Sequence, residues 1–330
     1  MLSRLLAVAI LLAAWAFGPA ALAQSDPLPS WNDGAAKARI IAFVQAVTAV
    51  DGKDFVPPAD RIAVFGNDGT LWAEQPIYFQ LAFAIDRARA MVAKNPALAQ
   101  QPAVKAAAAG DMKALAATGE KGLLQLVAAT HANMTSDEFA RIVREWASTA
   151  QHPTLKRPTT SLTYAPMREL LDYLRANGFR TYIVSGGGVE FLRVMSRDLY
   201  GVPPEQVIGS TIKTRYEVRN GEPVIARLPE VDFIDDKAGK PVAIHKFIGK
   251  RPIAAFGNSD GDFEMLEWTT SGPGPRLGVI VRHDDAAREF AYDRASPIGR
   301  LARALDEATR RGWTVVSIRD DWKTVFPAPR

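Results

Sequence analysis

Apolar residues fall in short blocks along this chain, and their spacing changes character twice. Over 35–50, Ile40, Ile41, Phe43, Val44 and Val47 share one side of a helical wheel, which predicts an amphipathic helix. Pro57-Pro58 ends that region. At 62–65 four apolar residues run together and stop at the polar turn Gly66-Asn67-Asp68-Gly69-Thr70. So short a run suits a buried strand, although four residues alone do not separate strand from helix. From 76 to 160 no strand pattern occurs. Pro76 suits the first turn of a helix, 77–94 is dense in apolar residues, and helical pieces follow at 103–109, 111–117 and 121–131. Thr135 or Ser136 is placed to N-cap a further helix through 147.

At 167 an alternating rhythm begins. A helix over 167–176 is stopped by Asn177-Gly178; a strand at 181–184 and a helix at 189–198 follow. Segments 212–218 and 223–228 flank Asn220-Gly221, a hairpin signal. Then come a helix at 241–248, strands at 253–256 and 277–281, a helix at 298–311 and a strand at 314–318. Strands alternating with helices predict an α/β fold: a doubly wound parallel sheet covered on both faces. The core takes 24–75 and 161–330, with 76–160 as an all-helical insert after the first core strand.

The beginning of the chain reads differently. Arg4 precedes a nearly unbroken apolar run at 5–17, and Ala21-Leu22-Ala23 is a small-x-small cleavage site before Gln24. This predicts a secretory signal peptide over 1–23. The run is shorter than the roughly 20 residues of a membrane span, and Gly18-Pro19 breaks it. The expected location is periplasmic or secreted, with no membrane association after cleavage. The leader holds one basic and no acidic residue, so 40 Lys and Arg become 39 against 36 Asp and Glu. That balance argues against nucleic acid or an anionic membrane as partner. The chain is 48% hydrophobic, enough for one large core or two smaller ones, and has no cysteine. Disulfides, thiolate zinc sites and a cysteine nucleophile are therefore excluded. His131, His152, His245 and His283 are scattered, without the spacing of a metal pair.

Chemistry concentrates at strand ends, where ligands bind in open parallel sheets. The first such turn presents Asp68, the Gly69 backbone and the Thr70 hydroxyl. The second is Ser185-Gly186-Gly187-Gly188, a hydroxyl and consecutive backbone N–H groups that suit an anion or a tight turn. The third is Gly257-Asn258-Ser259-Asp260-Gly261-Asp262. Before it stands Lys240, with Lys246 and Lys250 as competitors for the same role.

In this order the turns resemble the four motifs of the haloacid dehalogenase superfamily, specifically its phosphoserine-phosphatase-like members. Motif one of its phosphatases reads Asp-x-Asp-Gly-Thr-Leu. Asp68-Gly69-Thr70-Leu71 matches the second half, and the first aspartate, the nucleophile, should stand where this chain has Gly66. Ser185 takes the place of the motif-two residue that hydrogen-bonds phosphoryl oxygens, and Lys240 that of the motif-three lysine. Motif four, Gly-Asp-x-x-x-Asp, has Asn258 and Asp262 in its aspartate positions. Members with a helical cap insert it after the first strand. The resemblance implies a Mg²⁺-dependent hydrolase of a small phosphate monoester. Asp68, Ser185 and Lys240 would act in catalysis, and Thr70, Gly186, Gly187 and Glu74 would contact substrate. Asp68, Asn258 and Asp262 would hold the metal, with Asp260 a competing ligand.

In the superfamily the first aspartate attacks phosphorus and also ligates the metal; the second protonates the leaving oxygen and then activates water. Gly66 supplies neither nucleophile nor ligand. Four readings stand at this point: a pseudo-enzyme that binds a phosphorylated or other anionic ligand; hydrolysis by direct water attack; a variant of an active phosphatase; and an interaction protein with no affinity for metal or anion. Glu74 and His152, near the two ends of the cap, are candidates for substrate contact. Trp72, Tyr78, Phe79 and Tyr164 read as hinge packing.

Overall fold

A computed structural model describes residues 26–328; the leader read at 1–23 lies outside them. Eight strands form one sheet. In chain order they are β1 (Ile62–Phe65), β2 (Arg180–Gly188), β3 (Val207–Arg219), β4 (Glu222–Phe233), β5 (Ala254–Gly257), β6 (Leu277–Asp284), β7 (Ala291–Tyr292) and β8 (Thr314–Ser317). The spatial order is β4-β3-β2-β1-β5-β6-β7, with β8 also paired to β6. β1, β2, β3, β5, β6 and β8 run parallel, while β4 and β7 pair antiparallel at their margins.

β1 stands in the middle and is buried along its whole length. Its side chains alternate between two cores: Ala63 and Phe65 pack on one face, Ile62 and Val64 on the other. This is the period-two geometry of a strand covered on both sides, and it explains why the segment reads as a continuous apolar run. Phe65 stacks on Phe256 of β5 with ring centroids 4.4 Å apart. Strand order reverses at β1: β2 and β3 lie to one side, β5 and β6 to the other. That is a topological switch point, where adjacent loops diverge and leave a crevice.

After α1 (Ala35–Thr48) and β1, five helices make up the insert: α2 (Phe79–Lys94), α3 (Pro102–Ala109), α4 (Met112–Ala117), α5 (Gly119–His131) and α6 (Ser136–Thr149). They carry an apolar cluster of their own, including Ala84, Ala88, Val104, Ala107 and Leu126. α6 opens with a capping box: the Glu138 amide donates to Thr135 Oγ1, and the Thr135 amide to the Glu138 carboxylate. α2 starts at Phe79 rather than at Pro76.

The remaining helices cover the sheet: α7 (Ala165–Ala176), α8 (Val189–Arg193), α9 (Ser196–Tyr200), α10 (Gly239–Ile248), α11 (Phe263–Thr270), α12 (Arg303–Glu307) and α13 (Ile318–Asp321). Several details depart from the sequence reading. β2 continues through the glycines to Gly188, and the helix expected over 189–198 is two short pieces, α8 and α9. β3 begins at Val207, where it pairs with β2 inside the parallel sheet before entering the hairpin with β4. α11 was not foreseen, because a short helix packed on the sheet is apolar on most sides and shows no clean period. The helix expected over 298–311 is confined to Arg303–Glu307.

Candidate active site

Because β1 lies between β2 and β5, the turns leaving these three strands converge. Of the residues 66–70, only Asp68 keeps partial exposure. Its Oδ1 accepts the Trp72 indole N–H at 2.8 Å. Burial pushes the Asp68 pKa upward, against the pull of that hydrogen bond and of the Lys240 charge. Gly69 sits at φ +70°, and any side chain there would run into the Asn258 carboxamide, so the turn needs glycine for both backbone and space.

The turn after β5 is tied to the first turn through side chains. Thr70 Oγ1 donates to Asn258 Oδ1 at 3.0 Å, and Asn258 Nδ2 donates to Glu74 Oε1 at 2.7 Å. The Tyr292 hydroxyl reaches the same Glu74 oxygen at 2.8 Å. Burial raises the Glu74 pKa to about 7, although nearby His283 and the Tyr292 and Asn258 hydrogen bonds favour its charged form. Glu74 therefore sits behind the turn and braces it. A second brace follows. His283 bridges the Gly69 carbonyl (2.8 Å) and Glu289 (2.9 Å), and Glu289 in turn accepts from the Tyr164 hydroxyl (2.8 Å).

Lys240 is buried on α10. Its ammonium donates to Asp262 Oδ1 at 2.6 Å and to the Val184 carbonyl of β2 at 3.0 Å. Burial alone lowers its pKa, but the carboxylates of Asp262 and Asp235 more than offset this and hold it above the usual value. Lys246 and Lys250 are exposed, and Lys250 pairs with Asp60 at 2.5 Å. Asp262 Oδ2 accepts the amides of Asn258 (3.0 Å) and Ser259 (3.2 Å).

Gly66 stands beside this ion pair. A Cβ built on it would lie 2.9 Å from Asp262 Oδ1 and 3.0 Å from Thr70 Oγ1. A Cβ on Gly187 would lie 3.3 Å from Ser185 Oγ and 3.8 Å from Asp68 Oδ2, so the second turn faces Asp68 too. Ser185 Oγ accepts the Gly187 amide at 3.1 Å. Gly186 is exposed, and its carbonyl accepts from the Ser210 hydroxyl at 2.8 Å.

Two residues beside the site escaped the sequence reading. Asp235 is wholly buried, and neither oxygen has a hydrogen-bond partner. Burial pushes its pKa up to about 7, while Lys240 and the Ser185 amide, the latter short of full hydrogen-bond geometry, pull the other way. Its only sequence signal was its place in the turn before Lys240. Gln80 reaches from α2 to the glycine turn, and a single glutamine in an apolar helix carries no signal of that reach. His152 lies buried at the end of the insert with Nε2 2.7 Å from the Gln75 carbonyl. The Thr154 and Leu155 amides donate to its Nδ1, so the ring is a structural link between loops.

The donor set does not fit Mg²⁺ as it stands. A small hard cation needs several uncommitted oxygens with negative charge. Gly66 offers none, Asn258 is neutral with its oxygen on Thr70, and Asp262 is committed to Lys240 and two amides. Asp260 is turned away to cap α12, accepting the Ala302 and Ala304 amides at 3.1 and 2.9 Å. Among the described residues no three His, Cys, Asp or Glu side chains stand together to hold a metal.

Residues 63–267 match the family model of haloacid dehalogenase-like hydrolases. No curated protein matches the chain. A conserved protein of unknown function from Anaerococcus prevotii is similar in structure, with a TM-score of 0.51 and 16% identity over 76% of this chain and 86% of that one. A protein of unknown function from Bordetella pertussis gives 0.47 at 20% identity over 78% and 97%. A probable phosphoserine phosphatase from Vibrio cholerae gives 0.38 at 15% over 80% and 62%. At these identities the first likeness speaks for the fold alone, and the other two superpose too loosely to carry an argument.

Proposed function

Since the chain belongs to the haloacid dehalogenase-like hydrolase family, we propose that it binds a small phosphate monoester beside Asp68 and hydrolyses it slowly, by direct attack of water. The observation that carries this reading is the state of position 66. Asp262 Oδ1 and Thr70 Oγ1 crowd the place where a nucleophile's Cβ would stand, while the groups that handle charge and protons remain around it. Glycine has no carboxylate, so no aspartyl-phosphate forms at this position.

The remaining chemistry follows from the side chains. Burial keeps a proton on Asp68 to higher pH than on an exposed aspartate, which suits it to protonate the leaving oxygen. Water bonds to phosphorus and loses a proton to solvent, the ester P–O bond breaks, and the alcohol leaves with the Asp68 proton. The Lys240 ammonium and Ser185 hydroxyl offset charge on the phosphoryl oxygens. The leader over 1–23 would deliver this activity to the periplasm or the outside, where small organophosphates are the fitting substrates.

The test compares the natural chain with Gly66→Asp on a panel of phosphate monoesters. The variant is expected to be faster by on the order of 10³, the scale lost when a covalent nucleophile is removed and positioning survives. Its carboxylate must displace Asp262 Oδ1 slightly, and it adds the anionic oxygen a divalent cation lacks here. Comparable rates for the two proteins would overturn the reading.

A further inference from the structure

The glycine turn after β2 already has an occupant, supplied by the helical insert. The Gly188 amide donates to Gln80 Oε1 at 2.7 Å. A Cβ on Gly187 would come within 3.2 Å of that oxygen, and one on Gly188 within 2.6 Å of Gln80 Nε2. The glycines thus make room for this carboxamide as much as for any ligand.

Its orientation is forced. The Thr130 hydroxyl lies 2.6 Å from the Leu126 carbonyl, which can only accept, so the single hydroxyl proton goes there. The contact between Thr130 Oγ1 and His131 Nδ1, 2.7 Å, must then be donated by the ring. His131 is neutral, because burial and the charges of Arg227 and Arg87 hold its pKa down to about 3. With its proton on Nδ1, the ring presents a lone pair at Nε2, 3.1 Å from Gln80 Nε2. The amide NH₂ donates to it, and Oε1 turns to Gly188. The flipped carboxamide would set acceptor against acceptor at His131 and donor against donor at Gly188.

We propose that Gln80 is the residue through which the helical insert senses an oxyanion: its Oε1 occupies the Gly188 N–H until a phosphoryl oxygen replaces it, and the exchange breaks this tie between insert and core. The inference rests on the phosphate-site reading above. A carboxamide oxygen and a phosphoryl oxygen are both acceptors and compete for one N–H. The locked carboxamide cannot turn its NH₂ toward the anion without losing His131. Occupancy and insert position are therefore linked: anion binding is opposed by the closed contact and favours its release.

The test uses the full mature chain with tungstate as phosphoryl probe, measuring affinity by calorimetry and hydrogen exchange over residues 79–94. Gln80→Ala is expected to bind tungstate on the order of three- to tenfold more tightly, the worth of one neutral hydrogen bond. Thr130→Val, which lets His131 change tautomer and Gln80 turn, shifts affinity the same way by less. Tungstate speeds exchange in the natural chain, whereas Gln80→Ala exchanges fast without it. Tungstate binding to Gln80→Ala but not to the natural chain would support the occupancy outright. Binding by the natural chain with equal or weaker binding by Gln80→Ala, or with exchange unmoved by tungstate, overturns the role of Gln80 and leaves the phosphate site standing. Binding by neither protein overturns the phosphate site and this proposal together.

Discussion

Gly66 and Gly69 are three residues apart and glycine for different reasons. Gly66 has an ordinary backbone conformation, and only the Asp262 and Thr70 oxygens resist a side chain there. Gly69 combines φ +70° with backing by Asn258. Gly66→Ala should therefore cost about 1 kcal/mol and Gly69→Ala about 3 kcal/mol or more in urea unfolding. Equal costs would show that the turn relaxes as a unit. Asp235 offers a second test. Its pKa stands at about 7 in the fold against 3.8 for a free side chain. Between those values the folded state holds a proton that the unfolded chain has lost. The stability this group contributes is thus complete below the lower value and falls away as pH rises through the upper one. Asp235→Asn does not titrate, so its melting temperature relative to the natural chain should climb by several degrees from about pH 4.5 to about pH 8. A difference that stays flat with pH would mean Asp235 is not buried in its acid form. Neither residue's situation was readable in advance: Gly66 showed as a missing nucleophile, but the oxygens closing on it come from residues distant in the chain.

Among the elements, the β3–β4 hairpin does more than its Asn-Gly turn announced. β4 meets the loop between α5 and α6 in a short antiparallel exchange: the Asn133 amide donates to the Arg227 carbonyl and the Arg227 amide to Met134, each at 2.9 Å. Arg227 also donates to the His131 carbonyl at 2.6 Å, pairs with Glu190 and lies over the Phe139 ring. The hairpin thereby braces the start of α6, and the capping box at Thr135 belongs to that junction. Thr135→Ala should cost about 1 kcal/mol, with faster amide exchange confined to the first turn of α6 and to β4 near Ala226. Exchange that rises uniformly over the insert would show that the cap acts on the whole helical unit. Helices with strong one-sided patterns, α6 and α7 among them, were legible because period and capping agree. The α8–α9 break and the shortened α12 were not; α12 begins only where Asp260, from a turn distant in the chain, accepts the Ala302, Arg303 and Ala304 amides.

Across the whole molecule, Lys240 joins separate layers. From α10 it holds a β2 carbonyl and the Asp262 carboxylate beyond β5, so one ammonium links the helix layer to two strands flanking β1. Lys240→Met would leave Asp262 a buried carboxylate without its cation, a loss of about 3–5 kcal/mol. Adding Asp262→Asn should recover a good part of it, because the stranded charge is then gone. Denaturant unfolding of Lys240→Met and of the double variant checks this, and a Lys240→Met protein as stable as the natural chain would show the pair to be idle.

The linear order of residues was enough to establish an α/β sheet with a helical insert after its first strand, and to single out the turns at Gly66, Ser185 and Asn258 with Lys240 before the last. These features are local: hydrophobic period, capping, and glycine where the backbone must turn sharply. Tertiary structure alone decided that Glu74 braces the turn from behind, that Asp262 spends its charge on Lys240, that Asp235 is sealed in without partners, and that Gln80 reaches the glycines from the insert. Those outcomes depend on which strands become neighbours, and strand order is set by the packing of two cores against a central β1, a competition among distant contacts that no short window of sequence records.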